Sequence, residues 1–270
     1  GDVYKRQLLF GIGFTSGGTK YVHSTNLNSM NAQEDNKESA NRFTLKKTEI
    51  PDFTSLNINL EDSDLNIEES PNEKSYIEYA QATKDKKNPV SYFIENGTLT
   101  LKEAGNTGAS YYINVDISFL QAALSSKNIE DYTKESSKYE NYVTLYLPKD
   151  KLVSSAKIYL GYGDFYVKNA TFDTTNIKLD DGDFDANTLT ANSGKLTFSY
   201  GDCDLQKASL GNISLTSKDG DLTVNELTLS GKTKIALSYG DAEITLNDST
   251  KKVSCLLYTS DAADDRISVD

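Results

Sequence analysis

The chain has 270 residues, 37% hydrophobic and 25% charged, which is enough apolar material for a packed core and excludes global disorder. A formal net charge of −12 and a pI near 4.7 exclude nucleic acid and anionic lipid surfaces as partners, since both need clustered Lys and Arg. Seventeen Tyr, no Trp and an abundance of Asn, Thr and Ser suit strands that keep one face wet.

Both ends look foreign to the fold. Asp2-Val3-Tyr4-Lys5-Arg6-Gln7 resembles the translation of a sequencing-library adapter, and Cys255–Asp270 resembles the same adapter read on the other strand. Residues 1–7 and 255–270 are therefore set aside as scars, with the natural ends expected beyond them. Cys203 then stands alone, so cysteine usage carries no disulfide argument. Leu8–Phe14 is an apolar run of seven residues, short of the ~20 that span a bilayer. It reads as the remnant of a transmembrane helix or signal sequence over 8–18, the only membrane attachment expected. Residues 19–42 read as a polar linker in which His23 is a lone solvent-exposed side chain.

The ordered domain is expected over 43–254. Leu56-Asn-Ile58-Asn-Leu60 alternates, Asp62-Ser63-Asp64 turns, and Leu65-Asn-Ile67 alternates again, predicting strand, tight turn, strand. Tyr76–Tyr79 and Tyr92–Leu101 continue the style, the latter around Asn96-Gly97. Residues 105–142 break the rhythm as an insertion, with a short helix expected at Ile117–Leu124 and a charged surface excursion at Lys127–Asn141. Val143, Leu145 and Leu147 then alternate into Pro148, where a strand must stop.

From Ile158 to Leu246 the sequence repeats. Gly-Asp recurs at Gly163-Asp164, Gly182-Asp183, Gly201-Asp202, Gly220-Asp221 and Gly240-Asp241, spaced by 19, 19, 19 and 20 residues. A fixed period of this size is the mark of stacked repeats. Apolar pairs lie five and three residues before each Gly (Ile177/Leu179, Leu196/Phe198), two and four after it (Phe184/Ala186, Cys203/Leu205), and seven and nine after it (Leu189/Ala191, Ala208/Leu210). Only Ser217 departs. The fold class expected is all-β, a single-stranded parallel β-solenoid with rungs of about 19 residues, three short strands to a rung, each sending two side chains inward. A rung can bury those residues only against its neighbours, so no rung is stable alone. The segment around Ser63 fits the same template and is expected to be the first rung. Cys203 falls in an inward column and reads as core.

The opening rung, the phrase Val143-Thr-Leu-Tyr-Leu-Pro-Lys149 and the strand-Gly-Asp-strand unit resemble the bacterial toast-rack domain, also labelled "putative adhesin", over about Phe53–Leu246. The resemblance implies a β-solenoid displayed outside a membrane, on the bacterial cell surface and anchored in the intact protein, with no catalytic residues or cofactor to carry over.

Three constellations hold candidate chemistry. The turn residues Asp164, Asp183, Asp202, Asp221 and Asp241 form a ladder that either binds Ca²⁺ or, the favoured reading, bonds backbone N–H groups in turns where Gly supplies positive φ. No metal site is expected. Tyr162, Asp181, Tyr200, Asp219 and Tyr239 precede the five glycines and alternate in kind. That alternation reads first as size packing along the edge, and second as a sugar- or peptide-binding stripe, the best binding candidate. Asp180, Asp181, Asp183 and Asp185 cluster as in polysaccharide-acting β-helix enzymes, but no basic partner or cleft-forming loop is evident beside them. The expected function is a non-catalytic envelope sensor or scaffold, with an adhesin for a glycan or protein as the alternative and an enzyme as a remote third. Self-association through the last rung is expected where its strand edges lie open.

Overall fold

The structure, a computed structural model, describes residues 21–23, 41–83, 90–103, 141–247 and 266–269. The insertion at 105–142 lies almost wholly outside them, as does the helix expected within it. The regular structure described is entirely β-strand, and no helix among the described residues is long and apolar enough to cross a membrane.

The first strands are β1 (Tyr21–His23), β2 (Asn41–Ile50), β3 (Ser55–Leu60), β4 (Asp64–Glu69), β5 (Ser75–Thr83), β6 (Val90–Glu95) and β7 (Thr98–Glu103). Next come β8 (Tyr142–Leu147), β9 (Leu152–Leu160), β10 (Phe165–Val167), β11 (Ala170–Leu179) and β12 (Phe184–Phe198). The solenoid then runs through β13 (Cys203–Gly211), β14 (Ile213–Asp219), β15 (Leu222–Ser230), β16 (Lys234–Tyr239) and β17 (Ala242–Leu246), and β18 (Arg266–Val269) is last.

Two long parallel ladders flank the Gly-Asp turns. Before the turn the order is β7, β3, β9, β11, the end of β12, β14 and β16. After it the order is β8, β4, β10, the start of β12, β13, β15, β17 and β18. The register steps by one repeat: Phe165 faces Phe184, Phe184 faces Cys203, and Cys203 faces Leu222. The expected inward columns are buried, Ser217 included at 0% exposure, while Leu229 and Ile235 are partly buried and pack against the core. Phe165, Phe184 and Phe198 stack through it, with centroids 5.0 and 5.3 Å apart. Each fully buried Leu or Phe contributes ~1.5–3 kcal/mol before conformational entropy is subtracted.

Two expectations need correction. The three faces of a rung are not three separate strands: β11 bends without a break from its third-face pair, Ala170/Phe172, into Ile177/Leu179 of the next rung, and β12 runs through all three faces. The bends place Leu56, Ala156, Thr175 and Ile213 inward as an additional buried column. Nor is the Ser63 segment the outermost rung. β3 and β4 are the second layer, because β7 and β8 pair along their far sides although they come later in the chain. Outside β7 and β8 the ladders turn antiparallel: β6 pairs with β7 through the positive-φ pair Asn96-Gly97, β5 with β8, and β2 with β5. β1, within the stretch read as linker, pairs antiparallel with β6 and places His23 opposite Tyr92 in the register. At the other end β18 pairs with β17, so a strand lies along that edge of the last rung.

Candidate functional site

The site with the most chemistry on its surface is the edge formed by the stacked Gly-Asp turns. Each turn is built by close contact with the one before it. A Cβ on Gly201 would sit 2.3 Å from the carbonyl oxygen of Gly182, and φ there is +108°. Gly163 lacks a positive φ but still has no room, since a Cβ would lie 2.1 Å from the carbonyl of Ser63. The glycines are therefore required by proximity at least as much as by conformation.

The aspartates tie the turns together across rungs. The Asp183 N–H donates to Asp164 Oδ1, Asp202 to Asp183, Asp221 to Asp202 and Asp241 to Asp221, each at 2.8 Å. Asp64 extends the ladder by accepting from the Asp164 N–H at 2.9 Å. Each N–H acceptor belongs to the neighbouring rung, not to its own turn as the sequence suggests. In return, Phe184 N–H donates to the Asp202 carbonyl at 2.9 Å, and the same bond recurs at Cys203 and Leu222. Among the described residues no group of three His, Cys, Asp or Glu side chains is placed to hold a metal ion.

Just outside this ladder stand Tyr162, Asp181, Tyr200, Asp219 and Tyr239, which the structure brings into one line. Tyr162, Tyr200 and Tyr239 are 71, 60 and 59% exposed. Asp181 and Asp219 are exposed on the rungs between. A second alternation went unread in the sequence. Five residues before each stripe position, in the register Lys157–Asn176–Lys195–Ser214–Lys234, lysine occupies the same rungs as tyrosine. The signal was a two-rung period lying over the single-rung one.

The remaining acids have structural partners. Asp180 accepts from Lys178 at 2.5 Å and Tyr159 Oη at 2.9 Å, so a basic partner does stand beside the cluster. Burial alone would raise the Asp180 carboxyl; Lys178, Tyr159 and Ser199 outweigh it and hold it below its ordinary range. The bond to Asp180, then burial, pushes the Tyr159 phenol up to about 12. Asp185 moves the other way, raised first by burial and then by Asp204, Asp183, Asp164 and Asp202. The Cys203 thiol is wholly buried, which lifts it well above its usual value and leaves it a core residue.

At the opposite end of the fold, Glu103 Oε2 accepts the N–H groups of Glu61 and Asp62 at 2.9 and 3.0 Å. In the next turn the corresponding donors, Gly161 and Tyr162, use backbone carbonyls instead. A side chain thus completes the rung that lies next to the insertion. Nearby, Glu78 accepts from Tyr142 and Tyr146 at 3.1 and 3.2 Å, and Lys47 sits 3.5 Å from the Tyr146 ring centroid.

A family model described as Toastrack DUF4097 matches residues 53–262. Among solved structures the chain is similar to a "putative adhesin" from Bacteroides fragilis NCTC 9343, at 14% identity over 81% of this chain and 93% of that one, TM-score 0.40. It is similar to a "putative cell adhesion protein" from Clostridium sporogenes ATCC 15579, at 13% identity over 72% of this chain and 100% of that one, TM-score 0.35. A "putative adhesin" from Parabacteroides distasonis ATCC 8503 matches at 12% identity over 76% of this chain and 95% of that one, TM-score 0.32. No curated protein matches the chain.

Proposed function

The chain belongs to the Toastrack family, and from that premise we propose that it is a non-catalytic display module of the cell envelope whose stacked turns hold a binding edge toward a ligand outside the cell. The observation that carries this reading is the exposure of Tyr162, Tyr200 and Tyr239 along the edge of stacked turns. Large aromatics left in water cost hydration free energy unless a partner covers them, and rings in register offer contact area with little entropy to lose. The non-catalytic part is supported by the acids, since the turn aspartates and Asp180 are engaged in bonds that hold the rungs.

The test is retention of the purified chain on an immobilised panel of extracellular matrix proteins and cell-wall glycans. Wild type is expected to bind at least one member of the panel. Tyr162→Ser/Tyr200→Ser/Tyr239→Ser is expected to lose that binding with an unchanged melting temperature. Retained binding by the triple variant would defeat the reading.

An envelope sensor or scaffold is the second reading, and one observation favours it. Residues 104–140 leave β7 at Glu103 and return at β8 on the outermost parallel rung, where the inner rungs carry a tight turn. An insertion so placed suits a protein partner. Replacing 105–140 by Ser-Gly-Asp would abolish a signalling role while sparing any ligand of the tyrosine edge.

A further inference from the structure

The two-rung period of the edge specifies more than a generic ligand. Lys157/Tyr162, Lys195/Tyr200 and Lys234/Tyr239 occupy alternate rungs, with Asn176/Asp181 and Ser214/Asp219 between them. Parallel strands stack at about 4.8 Å, so successive tyrosines are about 10 Å apart with a carboxylate midway. A bound polymer must offer an apolar face at every second step and hydrogen-bond donors at the steps between.

Charge narrows the class. The turns at 161–166, 180–185, 199–204, 218–223 and 238–243 carry eleven carboxylates and one lysine, Lys218, and even with Lys157, Lys195 and Lys234 on the strands leading into three of them the edge stays strongly negative. Burial and the neighbouring Asp204, Asp183, Asp164 and Asp202 already disfavour the charged form of Asp185. A polyanion laid along this edge would add like charge to like charge, whereas hydroxyl and amide N–H groups would meet ready acceptors.

We propose that the edge binds an extended β-1,4-linked glycan of neutral or amino sugars, one sugar per rung. This rests on the display reading above and names its ligand. Such a chain advances by close to one rung spacing per sugar and turns over at each linkage, so the same face returns at every second residue. Sugars on the tyrosine rungs stack on Tyr162, Tyr200 and Tyr239. Those between donate hydroxyl hydrogens to Asp181 and Asp219. An extended peptide strand fits less well, because its side chains return to one face after about 7 Å.

The experiment is calorimetric titration of the full chain with the hexamer of N-acetylglucosamine, cellohexaose, an oligogalacturonate and a proline-rich peptide. At least one neutral hexamer is expected to bind, ten-fold or more tightly than its own disaccharide, and the uronate is expected not to bind. Which hexamer wins distinguishes an amino-sugar source from a plain glucan. The exchange Asp181→Tyr/Tyr200→Asp keeps the composition and breaks the period, and is expected to lose ten-fold or more in affinity; Tyr200→Ser serves where the exchange does not fold. Unchanged affinity in these variants, tighter binding of the uronate, or binding of the proline-rich peptide in place of sugars would overturn the proposal. Silence toward every hexamer, with tyrosine-dependent binding still present on the matrix panel, would defeat the glycan assignment and leave the display reading standing. Silence in both would remove both.

Discussion

The backbone N–H of Asp202 lies 2.8 Å from Oδ1 of Asp183, nineteen residues earlier and one rung away. The carboxylate therefore does what a backbone carbonyl does elsewhere in the ladder, as do those of Asp164, Asp202 and Asp221.

Removing one such acceptor leaves the Asp221 N–H unpaired at the edge. Asp202→Ala is expected to cost about 1 kcal/mol, below the ~1.5–3 kcal/mol of a bond to a charged group because the site is exposed. Asp202→Asn keeps an acceptor oxygen and removes a charge from a stack of like charges, so it is expected to melt at or above wild type. Urea titrations of the two variants separate the bond from the charge. Equal destabilisation by both would mean that charge at this position stabilises.

Millimolar Ca²⁺ is expected to leave the melting temperature of the chain within about a degree. A ligand that binds only the folded state stabilises it by RT ln(1 + [L]/Kd), so a tight site would announce itself. A large shift that disappears in Asp202→Ala would replace the turn reading by a metal ladder.

Gly201→Ala combines a +108° φ with a Cβ placed 2.3 Å from the Gly182 carbonyl. The Cβ would meet backbone atoms there, so no flexible side chain can yield. The expected loss exceeds ~3 kcal/mol, more than either strain or crowding alone. A thermal melt close to wild type would show that the turns can move apart.

Ser217 occupies an inward position, fully buried, with no hydrogen-bond partner for its hydroxyl among the described residues. Ser217→Ala is expected to stabilise by about 1 kcal/mol by removing an unsatisfied polar group. Leu205→Asp, equally buried, is expected to prevent cooperative folding because it places an unpaired charge in the stack. Circular dichroism melts of the pair give opposite signs if both columns face inward.

Acidification should first help and then harm. Burial raises the Asp185 and Glu103 carboxyls above their ordinary values, so in the folded state they hold protons that the unfolded chain has lost. Their contribution is complete below the unfolded pKa and is lost as pH rises through the folded one. Lys178, Tyr159 and Ser199 depress Asp180 against the pull of burial, so its contribution is present above the unfolded value and is lost as pH falls through the folded one. The melting temperature is expected to rise from pH 7 toward about pH 4–5, the upper side of the ordinary carboxylate range, and to fall in stronger acid. Asp185→Asn should flatten the rise.

Much of this was legible in the sequence, because a solenoid writes its core as a local period. Gly-Asp spacing located the turns, and the flanking pairs located the inward columns, even at Ser217 where the residue type argued otherwise. The bend column was hidden because Thr175 is polar and Gly194, next in its register, has no side chain, so no apolar period runs through it. The Asp183–Asp202 bond was hidden because turn chemistry is ordinarily read within one turn. The tyrosine line was visible, whereas its exposure, and the lysines sharing its rungs, became clear only once registers replaced spacing. The layer order around β3 depends on partners far along the chain, and no local pattern encodes that.

That layer order governs how the molecule can be made. Rungs from β11 onward can close one after another, each waiting for only 19 or 20 further residues. By contrast, Ser55 pairs with Ser155 on one side and with Thr98 on the other. A chain leaving the ribosome amino end first must hold β3 and β4 unfinished until a hundred more residues have emerged, and closing so long a loop is slow. Assembly therefore runs partly against the direction of synthesis. Substitutions in β9, far from the amino end in sequence, should delay the burial of Leu56 and Ile58 more than substitutions in β2 do.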